Sequence, residues 1–386
     1  TTEIYTLSLH DALPIFSSLL NNLRIPTALV FTPTNLESEK KKFFNSDTYE
    51  PQFEYRIVKN DNERILKELS DVDEITDVDP RISDFYIKLI DSKAEANSLM
   101  NAVGENEKFT DISIKRYGLP SIKLFRNACR VLRGNTSNYN LLVEKSGKRG
   151  EMLKYDDIEK ICNTVLQELG LEGWGVSKSM NIAKNGVKVG VKTKQILVDP
   201  NIERSKYKLR KTLVHEVGTH VLRAHNGLNS GFDALSKPNL VEYLDIEEGL
   251  ATWNEHNMSL LTERWLRNKA AMVYAIYIGE LLSFRQLYNS LLGVLPKYSA
   301  FDVTFRVKRG LSDTSRPGIY TKDICYFRGF KRVLWKLSKS PNLYSSLYAG
   351  KISFKQCDWV EDGLIPKPLL VPSKALWEEI FKKVGI

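Results

Sequence analysis

Three residues within six positions, His215, Glu216 and His220, form the chain's densest grouping of side chains able to hold a metal ion and move a proton. They lie in residues 211–227, KTLVHEVGTHVLRAHNG, a segment carrying three of the five histidines. In the familiar H-E-x-x-H arrangement, histidines four apart share a helix face and the glutamate acts as general base. Here the spacing is H-E-x-x-x-H. Residues five apart on a regular helix differ by about 140° around the axis, against about 40° for residues four apart, so an undistorted helix cannot turn both imidazoles toward one ion. A one-residue π-bulge lowers the local winding and restores a common face, and such bulges recur at functional sites. Gly218 is the position expected to permit it. Without a bulge the stretch reads as an ordinary amphipathic helix, with Leu209, Leu213, Val217 and Val221 forming its buried stripe.

A catalytic zinc takes three protein ligands and leaves a fourth position open. Two residues compete for the third place. His225 stands ten residues after His215, the offset used by zincins with a third histidine, but those break the helix with a glycine before that ligand. In Val221-Leu222-Arg223-Ala224 there is no break, which places His225 about 140° from His220. A histidine in a last helical turn is also favourable against the helix dipole alone. The second candidate, Glu248, lies in VEYLDIEEGLATWNEHN, residues 241–257. There Ile246, Gly249, Leu250 and Trp253 share one helix face, and Glu248, Thr252, Glu255 and His256 share the other, which meets solvent or an interior polar site. Glu248 is the better placed.

The pair HEVGTH and EEGLA, with Glu248 standing 28 residues after His220, resembles the tyrosine and glutamate carboxypeptidases, the family that includes the microtubule-associated tyrosine carboxypeptidase and bacterial proteins named for a Q-E-G-L-A motif. The likeness extends from Pro33-Thr34-Asn35-Leu36 to the segment VKRGLSDTSRPG. It implies one Zn2+ held by His215, His220 and Glu248, with Glu216 as catalytic acid/base in a zincin-like metallopeptidase core. Glu247 departs from the bacterial motif, which has Gln there; the change spares the ligands but alters what can hydrogen-bond beside them.

The implied reaction is removal of a C-terminal Tyr- or Glu-like residue from a peptide or protein tail. Zinc lowers the pKa of its water and polarises the scissile carbonyl, while Glu216 carries the proton to the leaving amine. A carboxypeptidase also needs a cation for the terminal carboxylate. Lys308, Arg309, Arg316 and Lys322, in the basic, turn-rich segment 306–328, are candidates, and Tyr320 could steady the oxyanion; nothing in their spacing ranks them.

Composition bounds the alternatives. The 386 residues are 42% hydrophobic and 27% charged, with a net charge of +9, an ordinary globular balance. Such charge admits nucleic acid, anionic membrane or an acidic peptide as partner, but no basic block with interleaved aromatics supports nucleic acid. No apolar run reaches the length of a membrane span. Cys129, Cys162, Cys325 and Cys357 are scattered without a C-x-x-C pair, pointing to a reducing, cytoplasmic compartment. A metal-binding regulator without turnover is the other class to weigh; an intact Glu216 argues against it.

The elements that must position these groups read as a predominantly helical α+β fold with a short antiparallel sheet. Residues 5–15, YTLSLHDALPI, resemble the read-through translation of a sequencing-library adapter, so 1–15 is expected to be foreign to the fold and the true start to be missing. Residues 16–150 form an N-terminal α/β region, with a strand at 27–31, a helix at 36–44 capped by Asn35, a possible strand around Phe53 and Tyr55, and helices near 82–103 and 121–132. The acidic run 71–79 reads as a solvated loop. The polar stretch 134–150 is the expected boundary. A zinc-binding core follows at 151–260, with a helix at 155–169, strands at 187–192 and 195–198, and an edge on which an extended peptide could lie. Residues 261–386 are expected to complete that same domain with helices.

Overall fold

The computed structural model describes residues 18–70, 79–139, 141–142, 151–180, 182, 185–237 and 241–386. The presumed adapter, nearly all of the acidic run 71–79 and much of the 134–150 stretch lie outside them. The described chain is mostly helical with small sheets, an α+β composition as expected. It divides into two compact units that interleave along the sequence: Thr1–Asn135, Asn239–Val241 and Leu266–Phe327 form the first, and Thr136–Pro238, Glu242–Trp265 and Arg328–Ile386 the second. Division at 135/136 falls within the expected boundary. Residues 261–386, expected to go whole with the zinc-binding core, are instead shared between the units.

The first unit is built from helices whose ends are specified locally. Asp79 accepts from Arg81 N ahead of the helix Pro80–Asn101, and Ser121 does the same for Leu124 N ahead of Ile122–Leu132, satisfying backbone donors that the helix leaves open. Ser283 and Gln286 form a capping box at Phe284–Leu291. The core is aromatic: Phe43 packs edge-on against Phe284, Tyr288 and Phe301.

Two strand expectations in this unit are corrected. Thr27–Val30 is a short helical turn closed onto Pro26 O, and the 52–55 stretch makes one isolated bridge, Gln52 to Asp313. β-propensity expresses packing on neighbouring strands, and neither segment has a ladder to join among the described residues. Asn35 precedes the helix Leu36–Phe44 as expected but does not cap it. Its side chain instead donates to Gln52 O at 2.8 Å and accepts from Glu54 N at 3.1 Å.

The second unit contains the sheets. β1 (Met152–Leu153) pairs antiparallel with β5 (Arg204–Ser205). A three-stranded sheet runs in the order β2 (Gly175–Lys178), β4 (Gln195–Val198), β3 (Val187–Gly190), with β4 parallel to β2 and antiparallel to β3. The hairpin β3–β4 carries the alternation read from the sequence, and Ile196 and Val198 enter the core. That core also holds Ile158, Val165 and Leu166 of the helix Tyr155–Glu168 and Trp377, Ile380 and Phe381 of the helix Lys374–Lys383. Leu209, Leu213, Val214, Val217 and Val221 line the face that the metal-candidate helix turns inward.

Candidate metal centre

The helix bearing the histidines changes its winding where they sit. An α-helical segment, Lys206–Thr212, begins at Ser205, whose hydroxyl accepts from Lys208 N. From Leu213 to Val221 the chain is a π-helix, and α-winding resumes at Leu222–Leu228. The sequence leads one to expect a single-residue bulge at Gly218; the structure has nine residues of wider winding. Hydrogen bonds five residues apart bring His215 and His220 onto one face, with ring centroids 5.0 Å apart and planes at 78°.

Side chains from elsewhere in the unit hold this geometry. Tyr348 donates its hydroxyl hydrogen to Gly218 O at 2.7 Å, and Asn254 Nδ2 donates to Thr219 Oγ1 at 2.8 Å. Gly218 matters mainly for packing, since a Cβ there would stand 2.8 Å from Trp377 Cζ2.

Glu248 arrives on the helix Val241–Asn257. Its neighbour Gly249 lies directly on Gly329 of the helix Ile324–Lys339, a backbone-to-backbone approach that any side chain would prevent. Glu248 Oε2 lies 3.8 Å from His215 Nε2. One ligand atom from each of His215, His220 and Glu248 falls within 4.8 Å of the others, the one grouping of potential metal ligands among the described residues.

The ring nitrogens turned away from this point are both hydrogen-bonded to carboxylates. His215 Nδ1 is 2.7 Å from Glu255 Oε1, and His220 Nδ1 is 2.7 Å from Glu247 Oε1. An ionised carboxylate only accepts, so each Nδ1 carries the proton and each Nε2 presents its lone pair. This is the tautomer a metal-binding imidazole needs, and the carboxylate–histidine pairing is what orients such ligands.

Electrostatics favour a cation at this point. Burial opposes a charged His215, but the hydrogen bond and charge of Glu255, with Glu216 and Glu248, raise its pKa to about 9. Burial likewise opposes ionisation of Glu247, yet Lys351, Arg223 and His220 hold its carboxyl well below the usual range. The donor set of two imidazoles and a carboxylate, with correctly disposed tautomers, fits a zinc ion.

His225 lies apart from this grouping, on Leu222–Leu228, as its phase on the helix requires. The polar face read on 241–257 proves to be an interior one, with Thr252 and Glu255 buried. Sequence reasoning singled out Glu247 as unusual and placed Glu255 on that face, without giving either its histidine. Arg223, Lys351 and Lys211, which pair with these carboxylates, carry no periodic or motif signal.

The substrate-binding candidates belong to the first unit. Lys308 is fully buried, and its ammonium donates to Gly279 O, Leu282 O and Gly318 O. Tyr320 is 1% exposed, enclosed by Phe31, Phe109 and Tyr117. Both serve packing, which corrects the expectation that they meet a substrate. Arg309 pairs with Asp323 at 3.4 Å and Arg316 with Asp313 at 3.2 Å, while Lys322 is half-buried.

A family model described as microtubule-associated tyrosine carboxypeptidase matches residues 41–380. Among curated relatives, microtubule-associated tyrosine carboxypeptidase 1 of Homo sapiens is 26% identical over 333 residues, covering 84% of this chain and 59% of the relative. Its Mus musculus counterpart is 26% identical over 335 residues, covering 84% and 60%. MATCAP2 of Mus musculus is 25% identical over 349 residues, covering 88% and 57%. The chain thus spans about six-tenths of the length of these relatives.

Proposed function

The chain belongs to the microtubule-associated tyrosine carboxypeptidase family, and on that premise we propose that it is a zinc-dependent carboxypeptidase removing a C-terminal residue from a peptide or protein tail. The observation that carries the reading is the convergence of His215, His220 and Glu248 with both Nδ1 protons committed to carboxylates. The names of the relatives supply the carboxypeptidase direction and make tyrosine the first terminal residue to test, with glutamate the second. A zincin-like core is part of the proposal: the antiparallel edge strand β3 belongs to the same unit as the π-helix, and such an edge can receive an extended peptide by strand addition.

His215, His220 and Glu248 would hold the ion. When bound, zinc supplies Lewis acidity, making water a nucleophile near neutral pH and polarising a scissile carbonyl. Glu216 follows His215 directly and is absent from the converging ligand set, so its carboxylate remains available to take a proton from water and return it to the leaving amine. Glu255 and Glu247 keep the Nδ1 protons in place throughout, which stops either imidazole from rotating.

The test is to measure zinc content together with release of terminal residues from peptides ending in Tyr, Glu or other residues, against the same peptides amidated at the C-terminus. Stoichiometric zinc and cleavage confined to free C-termini are expected. Zinc without turnover on any peptide would point instead to a metal-binding regulator, and equal cleavage of amidated peptides would exclude a carboxypeptidase.

A further inference from the structure

We infer that Glu247, which lies one residue before a metal ligand and is not itself one, is the positioning residue for His220, and that through Arg223 it ties the metal centre to the 347–352 segment. The inference rests on the zinc reading above.

Glu247 is 3% exposed, and both its oxygens are used. Oε1 accepts from His220 Nδ1 at 2.7 Å and from Lys351 Nζ at 2.9 Å, while Oε2 accepts from Arg223. Arg223 has no exposure at all, and its other donors reach Leu347 O at 2.9 Å, Gly350 O at 3.1 Å and Ile352 O. Both cations and the carboxylate are therefore fixed by a closed set of bonds. The partner of the other histidine is held more loosely. Glu255 has a single cation, Lys211 Nζ at 3.2 Å.

A neutral acceptor at 247 would still receive the His220 proton, so the hydrogen bond alone does not explain a carboxylate. Charge does. Arg223 and Lys351 are two cations buried beside a site that must take a third, and Glu247 is the anion that contacts both. Removing that charge while keeping its shape leaves uncompensated buried cations, makes His220 a weaker donor of its lone pair and repels an incoming metal ion.

The experiment uses the full chain and zinc itself. Zinc affinity is measured by competition with a chromophoric chelator, the ligand field by the visible spectrum of the cobalt-loaded protein, and folding by thermal unfolding of the metal-free form. Glu247→Gln is expected to weaken zinc binding about 10- to 100-fold and to shift the cobalt bands. Glu247→Gln/Lys351→Met, which removes one buried cation along with the anion, is expected to recover part of the loss, and it carries the measurement if the single variant does not fold. Zinc affinity within twofold of the parent in these variants, whatever the change in unfolding temperature, would overturn the inference and leave the zinc reading standing. A parent chain with no affinity for zinc would remove both together.

Discussion

Gly249 and Gly329 meet backbone to backbone: a Cβ on Gly249 would lie 2.4 Å from the carbonyl carbon of Gly329, and a Cβ on Gly329 would lie 2.0 Å from Asp245 O. The helix that delivers Glu248 is therefore seated on its neighbour by the absence of two side chains. Gly249→Ala is expected to cost about 1–3 kcal/mol of stability, the usual range for overpacking, and to weaken metal binding because the displaced residue adjoins Glu248. Urea unfolding of the metal-free protein, paired with zinc titration, checks this; a variant with unchanged zinc affinity would show that the seat does not set the ligand position.

The ligand set can be separated from its decoy by substitution. His215→Ala, His220→Ala and Glu248→Ala are each expected to abolish stoichiometric zinc, while His225→Ala retains it. Metal analysis after dialysis reads the result directly. Loss in His225→Ala with retention in Glu248→Ala would replace the third ligand proposed here.

These expectations show what was legible in the sequence. The spacing of His215 and His220 demanded a departure from α-winding, and Glu248 followed from its helix face. The extent of that departure was not legible, because it is held by Tyr348 and Asn254, distant groups that bond Gly218 O and Thr219 Oγ1. Arg223 and Lys351 were equally silent, since a buried cation looks like a surface one until its anion is known. In the first unit, Thr27–Val30 misled because a β-branched, apolar run reads as a strand whether or not a partner strand exists.

Glu216→Gln is expected to keep zinc at parental stoichiometry and to lower turnover by about 10²- to 10⁴-fold, the range for loss of a general base. Metal content and peptide cleavage measured on the same preparation provide the test. Turnover close to the parent's would assign the proton transfer elsewhere.

Acid stability in the first unit is expected to depend on Asp323. Burial opposes its ionisation, but Arg306 and Arg309 hold the carboxyl well below the ordinary range. A folded-state pKa below the unfolded value of about 3.9 means the stabilisation is complete above that pH and is lost as pH falls through the folded value. Asp323→Asn strands the cations that faced it. The expected cost at neutral pH is about 3 kcal/mol, the low end for a broken buried pair, because Arg306 keeps 33% of its side chain exposed. Unfolding measured from pH 7 down to pH 3 should show parent and variant converging as acidity rises; a constant difference would assign the effect to packing.

The π-helix fixes more than the pair of histidines. Deleting one residue between them would restore the commoner four-residue spacing, yet everything beyond would turn by about 100°. Arg223 would swing from the carbonyls of Leu347, Gly350 and Ile352, and Asn226 from those of Tyr348 and Leu370. The longer motif is thus in phase with the C-terminal half of its own unit. A single-residue deletion here is a change of register for a whole layer of buried contacts, which makes the two motif lengths non-interchangeable on this scaffold.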